Sequence, residues 1–418
     1  QSGLPDNAAG WYRRTFVPAA GDRDRRIYLR LEGAASVKDV YVNGTHMGRH
    51  RGPFSAAAFD LTPSLEMGRE NTIDVRVTNR DDEVQDCFSR STLYYVNGGM
   101  FRKAWLVKTG AVHIFPDMGS TGVYLTAGNV TESSAGLDVR TVVRNALASP
   151  VEATVRHSVT DPGGKPCLRL ETRRAIGAGE TAVIETSGEV KRPKLWDIRR
   201  PNLYTVRTEI RAGGRLLDAS EERTGFRTIA TRDNRFYVNG REVQFRGVNK
   251  HAQTEYDWNA VSDDTLRREW RRMEDLGANM VRLAHYPHSR LEYDIADERG
   301  MAVWAENGYA GQVWSGPGNE EKSVTPDGER LTREMVRQNW NHPSILFWSA
   351  GNETVLEAAG HYAAVIRNEQ DPARLVTYAA TGDQRPENCD FVAYNTYDGW
   401  YTGGPYTDFT VSPHNDMV

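Results

Sequence analysis

Cysteine is scarce: three residues in 418, Cys87, Cys167 and Cys389. They lie far apart, so neither a zinc cluster nor a disulfide framework is expected, and one must stay unpaired within the chain. No run approaches the ~18 apolar residues that a membrane-spanning helix needs. No charge of one sign dominates either. Lys and Arg number 52 against 56 Asp and Glu, a formal net charge of −4 that gives no electrostatic reason to expect nucleic acid. Hydrophobic residues at 39% and charged residues at 26% exclude wholesale disorder. No targeting signal is readable at the N-terminus. The chain opens on Gln1 rather than Met, as expected of a processed, trimmed or internal start.

What is present is aromatic richness, with 10 Trp and 18 Tyr, and room for two to four domains. Residues 1–117 read as all-β. Arg26-Ile-Tyr-Leu-Arg-Leu31 and Thr72-Ile-Asp-Val-Arg-Val77 alternate apolar and polar, as half-buried strands do. Asp39-Val-Tyr-Val42 leads into Asn43-Gly44, a tight-turn dipeptide, and Ala104-Trp-Leu-Val107 closes the region. Such spacing predicts a jelly-roll sandwich. Residues 118–227 carry further alternating strands, among them Leu137–Val143, Val151–Val155 and Leu203–Ile210, with the turn Asp161-Pro-Gly-Gly164. About 100 residues of this kind predict an immunoglobulin-like sandwich.

In residues 228–418 the pattern changes to alternating strands and helices. A hairpin over 235–245 leads into Gly247-Val-Asn249. Leu266, Trp270 and Met273 share one helix face, capped by Ser262 or Asp263 and ended by Gly277. Strands follow at Asn279–Leu283, Met301–Ala305, Ile345–Trp348, Leu375–Tyr378 and Phe391–Tyr394, with helices between them. This alternation predicts βαβ units and a parallel sheet, either doubly wound or a (β/α)₈ barrel. No Gly-rich phosphate loop follows the opening strand, and the strand ends are rich in polar side chains; both favour the barrel.

In a barrel the working residues stand at the C-terminal ends of strands. Read in order, those ends carry His251; Arg282 and His285; Glu306; Asn352 and Glu353; then Tyr394, Asn395 and Tyr397. Polar groups interleaved with aromatics suit a carbohydrate: planar faces for sugar C–H surfaces, donors and acceptors for hydroxyls. Glu353 follows a continuous apolar run, so it emerges at a partly buried rim. Burial favours the protonated form of a carboxyl, the form a general acid needs. The plainer alternative for Glu353 is an ion pair with an arginine such as Arg282. Trp258, Trp400 and Trp314 fall in loops and are candidates for stacking on sugar rings, with core packing the alternative for each.

Five segments carry a family resemblance. Asn341-His-Pro-Ser-Ile-Leu-Phe-Trp-Ser-Ala-Gly-Asn-Glu353 resembles the acid/base signature of glycoside hydrolase family 2. Gly277-Ala-Asn-Met-Val-Arg-Leu-Ala-His-Tyr-Pro-His288 and Phe245-Arg-Gly-Val-Asn-Lys-His251 resemble its second- and first-strand motifs. Leu195–Tyr204 and Gly99–Val107 resemble segments of its two sandwiches, in the family's order. The resemblance implies a retaining β-glycosidase with Glu353 as acid/base and Asn352 on the sugar 2-hydroxyl. It implies that His251 and His285 line the sugar subsite and that Arg282 orients a catalytic carboxylate. Asn395, Tyr397 and Trp400 are then substrate-site candidates, Tyr397 as the family's active-site tyrosine. Some members place metal ligands near Glu306; no matching histidine stands here, so no metal and no cofactor are expected. A glycoside is the expected partner, with dimers or tetramers common in the family, and a periplasmic or secreted location is hinted at.

The family's nucleophile, a glutamate in a Glu-Tyr-Gly or Glu-Phe-Gly setting after strand seven, has no match. The 191 residues from 228 to 418 fall short of the roughly 250 a barrel takes. About six strands are expected, either as most of an active enzyme or as a short carbohydrate-binding form. β-Galactoside is the first expectation for the substrate. β-Glucuronide is second, its Asn-x-Lys carboxylate clamp being expected after the nucleophile, and β-mannoside third.

Overall fold

The structure, a computed structural model, describes residues 8–80, 82–84, 98–310, 324–369, 374–382 and 385–397. The N-terminal sandwich stacks a four-stranded sheet against a three-stranded one. In the first, Ala9–Phe16, Asn71–Thr78, Val37–Val42 and Thr45–Arg51 lie side by side; in the second, Ala57–Asp60, Arg25–Leu31 and Ala104–Gly110 do. Their alternating residues, including Leu29, Leu31, Val40, Val42, Ile73 and Val75, meet in one apolar core. The alternation read from the sequence is thus the pleat placing every second side chain inward.

The second sandwich pairs two four-stranded antiparallel sheets. One holds Val112–Ile114, Ser134–Asn145, Val123–Gly128 and Thr181–Lys191; the other Pro166–Ile176, Val151–Thr160, Tyr204–Ala212 and Arg215–Thr224. The strand Val112–Ile114 joins this sheet, so its pairing begins before residue 118.

The last region forms a parallel sheet of six strands among the described residues: Gly247–Lys250, Met280–Leu283, Ala302–Glu306, Ile345–Asn352, Leu375–Ala380 and Phe391–Tyr394. Their spatial order is their sequence order. A doubly wound sheet reverses order at a switch point; a barrel does not, so the topology is that of a partial barrel. Four helices connect the strands: α1 (Asp263–Asp275), α2 (Arg290–Arg299), α3 (Pro326–Gln338) and α4 (Leu356–Glu369). The Ser262 hydroxyl caps α1 by accepting from the Thr265 amide, and Gly300 ends α2 in the left-handed conformation at φ 65°.

The hairpin strands Arg235–Val238 and Arg241–Val243 form a small sheet with Ile229–Arg232. Phe236 and Phe245 meet Phe347 and Phe391 edge to face, at centroid distances of 5.0–5.5 Å. The hairpin therefore fills the barrel interior from below.

Both sandwiches are fastened to the barrel. Gly52 passes so close to α3 that a Cβ there would lie 2.3 Å from the Leu331 side chain. Beside it His50 contacts Glu334 at 3.0 Å and Gln338 exchanges two hydrogen bonds with the Ala56 backbone. On the other side, Asn341 accepts from the Leu125 amide at 2.8 Å and donates to the Val123 carbonyl at 2.9 Å and to Glu222 at 3.1 Å. His342 contacts Asp297 at 2.6 Å, and Asp297 also accepts from the Ser344 amide. Arg374 donates to the carbonyls of Trp340, His342 and Ile345. The N-terminal end of the fourth barrel strand is thereby fixed mainly to backbone and to the second sandwich.

Candidate active site

The fourth barrel strand is buried along its whole length, which explains its unbroken apolar run from Ile345 to Trp348. Its pairing with the fifth strand shifts register between Ser349 and Asn352. Such irregularities re-aim side chains. Gly351 sits at φ 150°, and a Cβ there would meet the Tyr309 carbonyl oxygen at 2.9 Å. That carbonyl accepts from the Asn352 amide, so the loop after strand three presses on the strand's end.

Glu353 follows with φ 52°, a left-handed conformation that costs a non-glycine residue roughly 1–3 kcal/mol. The residue is 2% exposed. Its Oε1 accepts from Asn395 Nδ2 at 2.5 Å and from the Tyr397 hydroxyl. Asn395 Nδ2 also donates to Asn352 Oδ1 at 2.8 Å, and Arg282 donates to the same oxygen at 2.6 Å. With that oxygen doubly engaged, the Asn352 amide nitrogen is the group it can offer to a sugar hydroxyl.

Arg282 is shared among several partners. It forms an ion pair with Glu306 and donates to Asn395 at 3.2 Å, and its guanidinium lies 5.3 Å from the Trp304 ring centre. Its carboxylate partner is Glu306, and it reaches toward Glu353 through Asn352 and Asn395. The other Glu306 oxygen meets His285 Nδ1 at 2.7 Å. Burial alone would raise the Glu306 pKa, but Arg282 and His285 outweigh it and hold the carboxyl at about 2. Both Glu306 oxygens are thus taken by the side chains of Arg282 and His285.

His251 stacks edge to face on His285 at 5.3 Å and lies 3.4 Å from the Tyr286 hydroxyl. Burial, then the nearby His285 and His288, push its pKa down to about 4. It is therefore neutral near pH 7 and acts as a hydrogen-bonding group rather than a cation. The structure thus brings Glu353, Asn352, Arg282, His285, His251, Asn395 and Tyr397 to one end of the sheet. Trp258 is 54% exposed, in a loop, so core packing does not account for it. Trp400 and Trp314 lie outside the described residues.

Sequence reasoning missed the support behind the first strand. Lys250 Nζ lies 3.1 Å from both Glu269 and Glu292. Glu292 also contacts His288 and accepts from Trp270 Nε1. A lysine between Asn249 and His251 in a four-residue strand was the available signal: its alternation turns it away from the barrel interior, into a helix layer that must supply carboxylates. Asp294, Asp297 and His342 also place ligand-type atoms within 4.8 Å of one another, but Asp297 already serves His342 and the Ser344 amide.

Comparison with known proteins accords with this geometry. The model for glycosyl hydrolases family 2, sugar binding domain, matches residues 4–110; that for glycosyl hydrolases family 2 matches 121–227; that for the family's TIM barrel domain matches 229–416. A β-glucuronidase from Bacteroides fragilis is 29% identical, over 95% of this chain and 58% of its own. A β-galactosidase from Thermoanaerobacter pseudethanolicus is 29% identical, over 81% of this chain and 44% of its own. Among solved structures, Bacteroides uniformis β-glucuronidase 2, covalently bound to cyclophellitol-6-carboxylate aziridine, superposes with a TM-score of 0.87. It is 31% identical, over 95% of this chain and 50% of that one. The chain thus spans about half the length of the relatives it matches. Three consecutive domain matches covering nearly the whole chain, together with the shared fold, make this chain a member of glycoside hydrolase family 2.

Proposed function

We propose that the chain carries the acid/base half of a retaining, exo-acting β-glycosidase, with Glu353 as the acid/base. The observation that carries this reading is the state of Glu353: buried, held in a left-handed backbone conformation, and oriented by Asn395 and Tyr397 at the end of a barrel strand. A retaining glycosidase needs a carboxyl that protonates the departing glycosidic oxygen and then takes a proton from the attacking water, while a second carboxylate forms the glycosyl-enzyme bond. Asn352 donates to the sugar hydroxyl beside the reacting carbon. His285 and His251 bind further hydroxyls. Arg282, neutralised by Glu306, keeps Asn352 in place.

A β-galactoside is the first choice of substrate. Among the described rim residues, Arg282 already has Glu306 as its carboxylate partner, which suits a neutral sugar. A β-glucuronide is the second reading, supported by the β-glucuronidases among the relatives. Turnover of aryl β-galactoside and aryl β-glucuronide by the full-length protein separates the two. Strong glucuronide turnover without galactoside turnover overturns the first choice. For the acid/base role, Glu353→Gln should slow an aryl glycoside with a poor leaving group far more than one with a good leaving group, which departs without a proton. Equal slowing of both would sink the assignment.

A further inference from the structure

The described residues enclose a cleft of about 400 Å³ between the N-terminal sandwich and the starts of α1 and α2. We propose that this cleft is an accessory binding site for a neutral, β-linked oligosaccharide, with Trp105 as its stacking platform. The proposal shares the carbohydrate chemistry of the family but does not depend on Glu353.

Trp105 stands on the sandwich strand Ala104–Gly110 and is 49% exposed, unusual for the largest apolar side chain. Its ring is oriented: Nε1 donates to Glu32 Oε1 at 3.0 Å. A fixed, half-open indole beside a carboxylate is what a sugar ring uses. The C–H face stacks on the indole, and the carboxylate accepts from ring hydroxyls. Phe101 and Leu266 supply apolar floor, and Ser262 and Ser289 supply hydroxyls at the rim. The volume falls within the roughly 300–1,000 Å³ of small-molecule sites.

Charge selects the ligand class. Each cation on the wall already has a partner: Lys103 with Asp263 at 2.6 Å, Arg290 with Glu222 at 2.9 Å, and Arg102 with the carbonyls of Phe54 and Pro287. Glu292 is held by Lys250, and Asp294 by Arg223. Glu32, which accepts from Trp105 Nε1, and Arg102, which donates to carbonyls, add one further charge of each sign, so the wall has no net bias toward a phosphate, a uronate or an amine. A ligand of hydroxyls and C–H faces fits.

The cleft also lies on the catalytic face of the barrel. Ser262 and Ser289 cap α1 and α2, and helices of a (β/α) barrel begin at the end where the strands' C-termini emerge. Ala252 and Asn259 line it from the loop that directly follows His251. One loop thus separates the accessory cleft from the sugar site, and a bound oligosaccharide would be held beside the catalytic rim.

The test is saturation-transfer NMR and calorimetric titration of the full-length protein, carrying Glu353→Gln so that the sugar is not consumed, with β-1,4-galactotriose. Trp105→Ala should weaken binding about tenfold or more, roughly 1.4 kcal/mol. Trp105→Phe, keeping a smaller platform, should fall between. His285→Ala should retain the binding that Trp105→Ala loses. Because Trp105 is half exposed, its substitution should leave the melting temperature near that of the parent, which separates lost binding from lost fold. Three results would each overturn the proposal: no binding at millimolar sugar, binding unchanged in Trp105→Ala, or binding lost in His285→Ala alone. A failure of glycosidase activity with this binding intact would count against the catalytic reading and not against the cleft.

Discussion

Both ends of the fourth barrel strand are buried and ringed by polar groups, yet those groups are satisfied in different ways. At the lower end, Asn341, His342, Asp297 and Arg374 bind chiefly to backbone carbonyls, backbone amides and the second sandwich. At the upper end, Glu353, Asn352, Arg282, Asn395 and Tyr397 are joined by hydrogen bonds between their side chains. Backbone partners are fixed by the fold. Side-chain partners can be exchanged for the hydroxyls of an arriving sugar at little cost. Burial of polar residues alone does not mark a site; burial with exchangeable partners does.

The largest effect should come from the upper end. Glu353→Gln in the full-length protein should lower kcat for an unactivated aryl β-galactoside by about 10²–10⁴-fold, the usual worth of general acid–base catalysis, with little change in melting temperature. Loss of folding instead would show that the carboxylate is structural and erase the contrast.

Asp297→Ala at the lower end should do the reverse. It removes one partner of a buried pair, and denaturant titration should show a loss of about 3–5 kcal/mol. Activity per folded molecule should be unchanged; an activity loss at full stability would break the comparison from the other side.

Glu306 lies between these extremes. Its folded pKa of about 2 is below its ordinary 4.5, so its stabilising contribution is complete above about pH 4.5 and is lost as pH falls toward 2. Glu306→Gln should make the decline in melting temperature over that window shallower. An unchanged acid limb would mean that Arg282 and His285 do not hold the carboxylate as described.

The smallest effect is expected for Trp258→Ala. The residue is exposed, so stability should move by less than about 0.5 kcal/mol, and any functional change should appear in KM rather than kcat. A large drop in melting temperature would restore the core-packing alternative for this tryptophan.

Much of the fold was legible because its signals are local. Alternation in Thr72–Val77 reports a pleat, Gly300 reports a helix end, and the run Ile345–Trp348 reports a strand covered on both faces. The strand ends holding Glu353, His285 and Asn395 could be read for the same reason. What escaped depends on pairs distant in sequence. Nothing near Glu306 indicates that Arg282 and His285 will take its two oxygens, nor does anything near Lys250 point to Glu292. The strands Pro166–Ile176 and Arg215–Thr224 were also missed; their exposed faces carry enough charge to blur the alternation. The hydrogen bonds of Asn341 lie more than 100 residues away in sequence, so a residue of the acid/base signature proved to be a clamp between domains.

The aromatic hairpin beneath the barrel has a consequence for dissecting the molecule. A cut just before Gly247, where the first barrel strand begins, would remove Phe236 and Phe245 and leave Phe347 and Phe391 facing a hole. A cut before Ile229 would keep that plug but free the Asn341 amide from its sandwich strand. The chain divides cleanly in a domain diagram and nowhere along its actual contacts, so fragments meant to isolate the catalytic region should be made by replacing contact residues rather than by choosing a boundary.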